Sequence, residues 1–211
     1  MLSKKMLVGI FTLSVTASFA VTGNNTEVSA SEIVPNIATI SDESEDFIIS
    51  DVMTFEEIVD QVSEDFGIST KEAQEKLGYS DTEARSARAA RAQYRTISSQ
   101  FTSTSTFKPT MRFYCETTES GNFRAIKEIR EVNMIRSSGG VSKQFSGTVY
   151  VHLEDPNRIF YTVNGDFYNN GTTTVNMGAS IGVGKAGNIS YGVSYASNHY
   201  KYTYVEKRVT F

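Results

Sequence analysis

Few side chains in this sequence combine the residue type and spacing that catalysis needs. The one cysteine, Cys115, lies in Met111-Arg-Phe-Tyr-Cys115-Glu, with Met111 and Phe113 at the same strand parity. A cysteine nucleophile needs a positive or basic neighbour to hold its thiolate. Only His152 and His199 are present, and no short motif joins either to Cys115. Parity with apolar neighbours describes a small buried hydrophobe instead. One cysteine and two histidines are too few for a zinc cluster or an internal disulfide. No metal and no cofactor is expected, and no catalytic residue is assigned.

Residues 92–211 carry eight carboxylates: Glu116, Glu119, Glu128, Glu131, Glu154, Asp155, Asp166 and Glu206. A glycosidase needs two of them facing across a cleft, and strand pairing singles out no particular two. There is no Gly-x-Ser-x-Gly elbow, no His-Glu-x-x-His and no phosphate loop. Gly178-Ala-Ser-Ile-Gly182-Val-Gly184 has the glycine content of a nucleotide loop, but its glycines alternate with apolar residues at strand parity. A secreted hydrolase is therefore the third-ranked function.

The clearest functional signal is a seam of three arginines, Arg85-Ser-Ala-Arg88-Ala-Ala-Arg91, where the composition breaks. Residues 31–84 hold 15 acids against Lys71 and Lys76, a net of −13, whereas residues 92–211 hold 13 bases against 8 acids, a net of +5. Of the 24 Phe and Tyr, 18 follow residue 91. Such a break marks a domain boundary. Arginines separated by small residues are unhindered sites for a trypsin- or subtilisin-like protease, so the acidic segment 31–91 reads as a leader or pro-region before a β-rich mature domain, 92–211. The competing account is a solvated Ala/Arg helix of high propensity that links two permanent domains. Tandem short helices also suggest a nucleic-acid reader, but a −13 surface repels phosphate. No nucleic acid is expected as a partner.

Residues 1–30 read as an address. Lys4 and Lys5 precede an uncharged, mostly apolar run, Met6–Val21, and Val28-Ser29-Ala30 places small or branched residues before a cut after Ala30. This is the plan of a secretory signal peptide, and the run is short for ~30 Å of hydrocarbon. A cut after Ala20 is the second choice. Signal peptidase is thus an expected partner. Cys115 is far from any cut site, and Val209-Thr210-Phe211 shows no apolar tail, so release rather than anchoring is expected. The lysine-initiated signal and scarce cysteine suit a Gram-positive exporter and a secreted, extracellular protein. At 39% hydrophobic and 21% charged residues, the chain is too apolar for wholesale disorder.

The elements on either side of the seam differ in kind. Thr54-Phe-Glu-Glu57, Ser69-Thr-Lys-Glu72 and Ser80-Asp-Thr-Glu83 are capping boxes, each opening a short helix. Phe55, Ile58, Val59, Val62 and Phe66 then fall on one helical face, with Gly67 as its stop. Ser41–Asp46 reads as a charged linker. Beyond the seam, Phe145, Gly147, Val149, Val151 and Leu153 alternate with Gln144, Ser146, Thr148, Tyr150 and His152. Turn signals at Asp155–Arg158, Asn169–Gly171 and Lys185–Asn188 imply four meandering strands, about 143–154, 158–168, 172–184 and 188–196. Thr110–Thr117 and Asn198–Val209 add two more. In Phe123–Arg136 the apolar residues Phe123, Ile126, Ile129, Val132 and Ile135 recur every third position, matching neither period, and the surrounding hairpins favour strand. The fold expected is mainly β, an antiparallel sandwich or small barrel preceded by a short acidic helical pro-region.

One hairpin and one aromatic cluster are candidate binding surfaces. Val175, Met177, Ile181 and Val183, then Ile189, Tyr191, Val193 and Tyr195, place apolar groups on one face and small polar groups on the other. Such dimensions suit a membrane-spanning β-hairpin of a pore-former; a soluble hairpin with one buried face has the same pattern and is commoner. The run Tyr191-Gly-Val-Ser-Tyr-Ala-Ser-Asn-His-Tyr200 resembles a stretch in lactococcin-type secreted bacteriocins. That resemblance spans about ten residues and implies antimicrobial activity without assigning residue roles. Tyr200, Tyr202 and Tyr204, with Tyr191 and Tyr195, also form a candidate aromatic face for sugars or another polymer, though paired tyrosines stabilise a sheet too. The leading expectation is a secreted bacterial β-rich protein, made as a pre-pro-protein, that acts by binding an envelope component, anionic polymer or membrane. The alternative is a membrane-active, bacteriocin-like or pore-forming protein.

The export expectation has a direct check. Protein recovered from culture supernatant should begin at Ser31, and an intact mass that retains Met1 contradicts it.

Overall fold

The structure, a computed structural model, describes residues 47–177 and 180–211. The export segment, its cut site at Ala30 and the linker at 41–46 lie outside the described residues. Three helices come first: α1 (Phe55–Phe66), α2 (Thr70–Lys76) and α3 (Asp81–Ala89). All three open on complete capping boxes, built by Thr54 with Glu57, Ser69 with Glu72 and Ser80 with Glu83. Gly67 ends α1 at φ 63°, a left-handed position where glycine carries no Cβ penalty. The end of α3 is built the same way, with arginine in glycine's place. Arg91 has φ 51°, its N–H bonds the Arg88 carbonyl, and the Ala92 N–H reaches back to the Ala87 carbonyl at 3.1 Å.

The remainder is antiparallel β. One open sheet runs in the order β1 (Phe47–Ile49), β2 (Gln93–Gln100), β3 (Thr110–Ser120), β4 (Phe123–Ile135) and β9 (Ile181–Gly182). A small hairpin, β5 (Ser137–Ser138) with β6 (Val141–Ser142), leads to the second set: β7 (Gln144–Asp155), β8 (Arg158–Met177) and β10 (Ala186–Thr210). Here β7 pairs with β8 on one edge and with Ala186–Tyr191 of β10 on the other, while β8 and β10 pair with each other. Among the described residues no helix is long and apolar enough to cross a membrane.

Two expected strand pairs therefore merge. Asn169-Asn-Gly171 does not end a strand; β8 runs through it and bends. A Cβ on Gly171 would lie 2.6 Å from Val193 Cγ1, so the glycine permits the close approach of β10. On β10 the same bend is absorbed by Tyr195 and Asn198, both at φ 56°, and by a register shift between Ser194 and Ser197. Asn-Asn-Gly has the composition of a turn, but two bulges on β10 opposite the Gly171 region make a bent ribbon instead.

The layers follow from strand parity. Ile97, Met111, Phe113, Cys115, Ile129 and Val132 of the first sheet share one buried core with Val149, Leu153, Ile159, Tyr161, Val163 and Phe167 of the second. The opposite parity of the first sheet, Tyr94 and Tyr114, packs with Phe55, Ile58, Val62, Leu77 and Tyr79 of the helical segment. Helices, first sheet and second sheet thus stack in that order.

Gly147 and Gly165, opposite each other on β7 and β8, permit a close backbone approach. A Cβ on Gly165 would lie 2.3 Å from the Ser146 carbonyl oxygen. Gly165→Ala should destabilise the fold by about 2–3 kcal/mol in a urea titration. Gly192→Ala, whose Cβ would meet only the Thr174 hydroxyl at 3.2 Å, should cost under ~1 kcal/mol.

Candidate functional site

The helical layer and the first sheet meet at one carboxylate, and irregularities of β4 put it there. The β3–β4 register slips between Tyr114 and Cys115 and again between Glu116 and Thr117. The residues of β4 left without a partner are Arg130 and Lys127. Bulges re-aim side chains, and both of these reach Glu116. Arg130 Nε donates to Glu116 Oε2 at 3.0 Å, and Lys127 Nζ bonds Oε1. Tyr79, just beyond α2, donates its hydroxyl to the same Oε2 at 2.9 Å and shares a 2.8 Å hydrogen bond with Tyr94 Oη. The Arg130 guanidinium stacks 4.5 Å from the Tyr79 ring centre and also pairs with Glu128 at 3.0 Å. Glu116 and Glu128 face each other across the ladder, where like charges repel; Arg130 lies between them.

This environment sets the protonation states. Burial alone would push the Glu116 carboxyl up, but hydrogen bonds from Lys127, Arg130 and Tyr79 outweigh it and hold the group below the usual carboxylate range. Burial, reinforced by the bond with Tyr94, pushes the Tyr79 hydroxyl up, so it remains a neutral donor. Nearby, burial raises the Glu131 carboxyl against the opposing pull of Lys76, 3.2 Å away. Asp65 at the end of α1 accepts from Arg112 Nη1 at 2.6 Å and from Tyr114 Oη at 2.6 Å. Beside Glu116, α3 and the first sheet leave a cleft of about 490 Å³, lined by Tyr79, Tyr94, Glu83, Arg91, Lys127 and Arg130 among others.

The seam occupies the rim of that cleft. Arg85 and Arg88 belong to α3, whereas Arg91 sits in the exposed turn after it. Arg88 is engaged, pairing with Glu56 at 2.6 Å and lying 4.7 Å from the Phe55 ring centre.

The hairpin residues are divided by burial. Ile181, Ile189 and Tyr191 are core residues, and Val175 and Met177 pack against the same core. Val193 is half-buried, Val183 exposed, and Tyr195 at the bend is 94% exposed. Tyr191 carries its hydroxyl into the core, where burial pushes it up against the opposing effect of Arg136 and the Met134 backbone.

The tyrosine cluster separates too. Tyr200 turns inward at a bulge, its hydroxyl 2.9 Å from Thr104 Oγ1 and its ring under Lys143 Nζ at 4.0 Å. Tyr202 and Tyr204 point outward from the second sheet, 51% and 55% exposed. Register sets Tyr204 beside Asn164 and Thr148, and Tyr202 beside Asp166 and Ser146. Tyr202 Oη donates to Asn164 Oδ1 at 2.9 Å, and Asp166 Oδ1 lies 2.7 Å from His199 Nε2. Tyr150 and Phe160 continue the aromatic surface at 6.1 Å between ring centres. Sequence reasoning found the tyrosines but missed their polar partners, which lie on other strands and become neighbours through register.

The candidate nucleophile and acids are otherwise occupied. Cys115 is fully buried, and burial pushes its thiol up, away from thiolate. Glu119 is held by Arg95 at 2.6 Å, Glu154 and Asp155 by Arg158 at 2.8 and 3.0 Å, and Glu206 by the Tyr204 hydroxyl.

Glu116→Gln should lower stability by about 1–3 kcal/mol at neutral pH, because Arg130 keeps only Glu128 as a counter-charge and its bonds to Glu116 lose their charge assistance. A carboxyl held low in the folded state stabilises above its unfolded pKa, ~4.3, and that contribution disappears as pH falls through the folded value. The gap between wild type and variant should therefore close on acidification, as read by urea midpoints from neutral to acid pH. No family model matches the chain, and neither a curated protein nor a solved structure matches it.

Proposed function

We propose that this chain is a secreted bacterial pre-pro-protein whose β-rich part, a two-sheet sandwich, acts by binding an extracellular or envelope polysaccharide. The observation that carries this reading is the outward face of the second sheet. There Tyr202 and Tyr204 stand exposed on one strand, flanked by Asn164, Asp166, His199 and Thr148. Alternate residues on a strand are ~6.8 Å apart, so two rings on one face present a flat apolar surface with hydrogen-bonding groups beside it. Sugar rings offer the matching pair, C–H faces and rims of hydroxyls. The helical layer lies on the other sheet, so this face is open with or without the acidic segment.

Binding suits the residues better than hydrolysis. Each of the eight carboxylates of the β part is held by a cation, a histidine or a hydroxyl. Glu131, whose carboxyl is raised, is 2% exposed and cannot meet a substrate. Membrane entry by the 172–196 hairpin would withdraw Ile181, Ile189 and Tyr191 from the core, at roughly 1.5–3 kcal/mol for each large side chain. Exposure of a polar and aromatic sheet face requires no such rearrangement. Processing at the arginine seam by a trypsin- or subtilisin-like protease belongs to the same reading, on the strength of the charge and aromatic break at residue 91.

Affinity electrophoresis in gels containing neutral or anionic cell-wall polysaccharides tests the proposal. Retardation of the wild type should weaken at least tenfold in Tyr202→Ala/Tyr204→Ala, about 1.4 kcal/mol, with an unchanged circular dichroism spectrum. Binding to an anionic polymer alone, lost at raised salt and indifferent to both tyrosines, would assign it to net charge and overturn the role of this face.

A further inference from the structure

The seam offers three arginines, and the folded chain presents them unequally. A serine protease grips its substrate as an extended strand, so a bond inside a helix must unwind before it is cut. Arg85 and Arg88 lie within α3, where Arg85 Nε bonds the Asp81 carbonyl and Arg88 is held by Glu56. Arg91 lies outside the helix, and only the backbone bonds of its own N–H and the Ala92 N–H to the Arg88 and Ala87 carbonyls must open there. It occupies the exposed turn after the helix with φ 51°, and its side chain makes no hydrogen bond or ion pair among the described residues. It also stands between two hollows, the 490 Å³ cleft beside Glu116 and a second of about 320 Å³ on the side of Thr54 and Glu56.

We propose that processing at the seam is a single cut of the Arg91–Ala92 bond, after which the acidic segment stays bound, so that the processed protein is a two-chain molecule. The inference rests on the processing step proposed above. In that step a trypsin- or subtilisin-type serine protease adds water across the bond. The C–N bond breaks, the water oxygen joins the new Arg91 carboxylate, and Ala92 becomes a free amine that takes up a proton. The new carboxylate forms on exposed Arg91, and the new amine on half-buried Ala92 keeps the Ala87 carbonyl as an acceptor at 3.1 Å.

Retention follows from what crosses the cut. Phe55, Ile58, Val62, Leu77 and Tyr79 are each no more than 6% exposed and pack with Tyr94 and Tyr114. Asp65 remains paired with Arg112, Lys76 with Glu131, and Tyr79 hydrogen-bonded to Glu116. Met53 and Tyr94 exchange backbone hydrogen bonds of 2.8 and 3.0 Å, and β1 stays laddered to β2. None of these contacts depends on the 91–92 bond. The cut therefore leaves the acidic charge in place and does not bare the basic body.

Limited digestion of the full chain with an arginine-specific protease, followed by N-terminal sequencing and gel filtration, tests both halves. The first new N-terminus should be Ala92, and the two fragments should elute together at the volume of the uncut chain, parting only in denaturant. Arg91→Gly, which suits the left-handed turn, should fold normally and slow the first cut at least tenfold. A first cut at Arg85, Arg88, Arg124 or Arg158, undiminished cutting of the seam in Arg91→Gly, or fragments that separate in native buffer would overturn the proposal. Uncut protein as the sole form released by producing cells would count against processing as a biological step, a failure distinct from separation of the fragments.

Discussion

The carboxylate of Glu116 is taken out of water, and everything around it is arranged to make that tolerable. An ionised group with so little exposure costs several kcal/mol unless opposite charge and hydrogen bonds compensate. Lys127 and Arg130 supply the charge, and Tyr79 supplies the remaining donor. The two cations come from β4, the donor from the segment between α2 and α3, and the acid itself from β3. One group therefore ties the acidic helical segment to the sheet, across a boundary where composition alone suggests separable parts. The tie is specific in geometry as well as in charge, because Tyr79 also bonds Tyr94 and lies under the Arg130 guanidinium.

That arrangement explains what was legible beforehand and what was not. The three helices could be read from their capping boxes and from the spacing of Phe55, Ile58 and Val62, because helix ends depend on local chemistry. Alternation in β7 was equally plain. The every-third-residue recurrence of Ile126, Ile129 and Val132 was visible but matched neither regular period. Two bulges account for it: Lys127 and Arg130 are extra residues, and with them left out of the count Ile126, Ile129 and Val132 share one face of an ordinary strand. A three-residue recurrence within a β region is thus a bulge signal, and the residues it ejects here form the Glu116 cluster. The Asn169–Gly171 run has the composition of a turn, yet β8 continues through it, for a related reason. Whether glycine ends a strand or lets a neighbour approach depends on the partner, here Val193.

The separation of surfaces bears on function. Candidate residues in the 172–196 hairpin mostly serve the core, so their apolar pattern belongs to folding. Tyr202 and Tyr204 look away from that core, on the sheet that the helices do not touch. The proposed binding face and the proposed processing turn therefore lie on opposite layers, and neither obstructs the other. Charge, which divides the sequence so sharply, is in the folded chain partly paired across the same divide: Asp65 with Arg112, and Lys76 with Glu131. The acidic segment is, on this account, a structural layer whose removal would uncover Tyr94 and Tyr114 rather than a passive counter-ion.

The most direct test of that account is a double-mutant cycle across the seam, combining Tyr79→Phe with Glu116→Gln and reading stability from urea unfolding. If the carboxylate joins the helical layer to the sheet as described, the two substitutions should be coupled by more than about 1 kcal/mol. Effects that add to within ~0.3–0.5 kcal/mol would mean that the two residues act independently and that this carboxylate does not join the helical layer to the sheet.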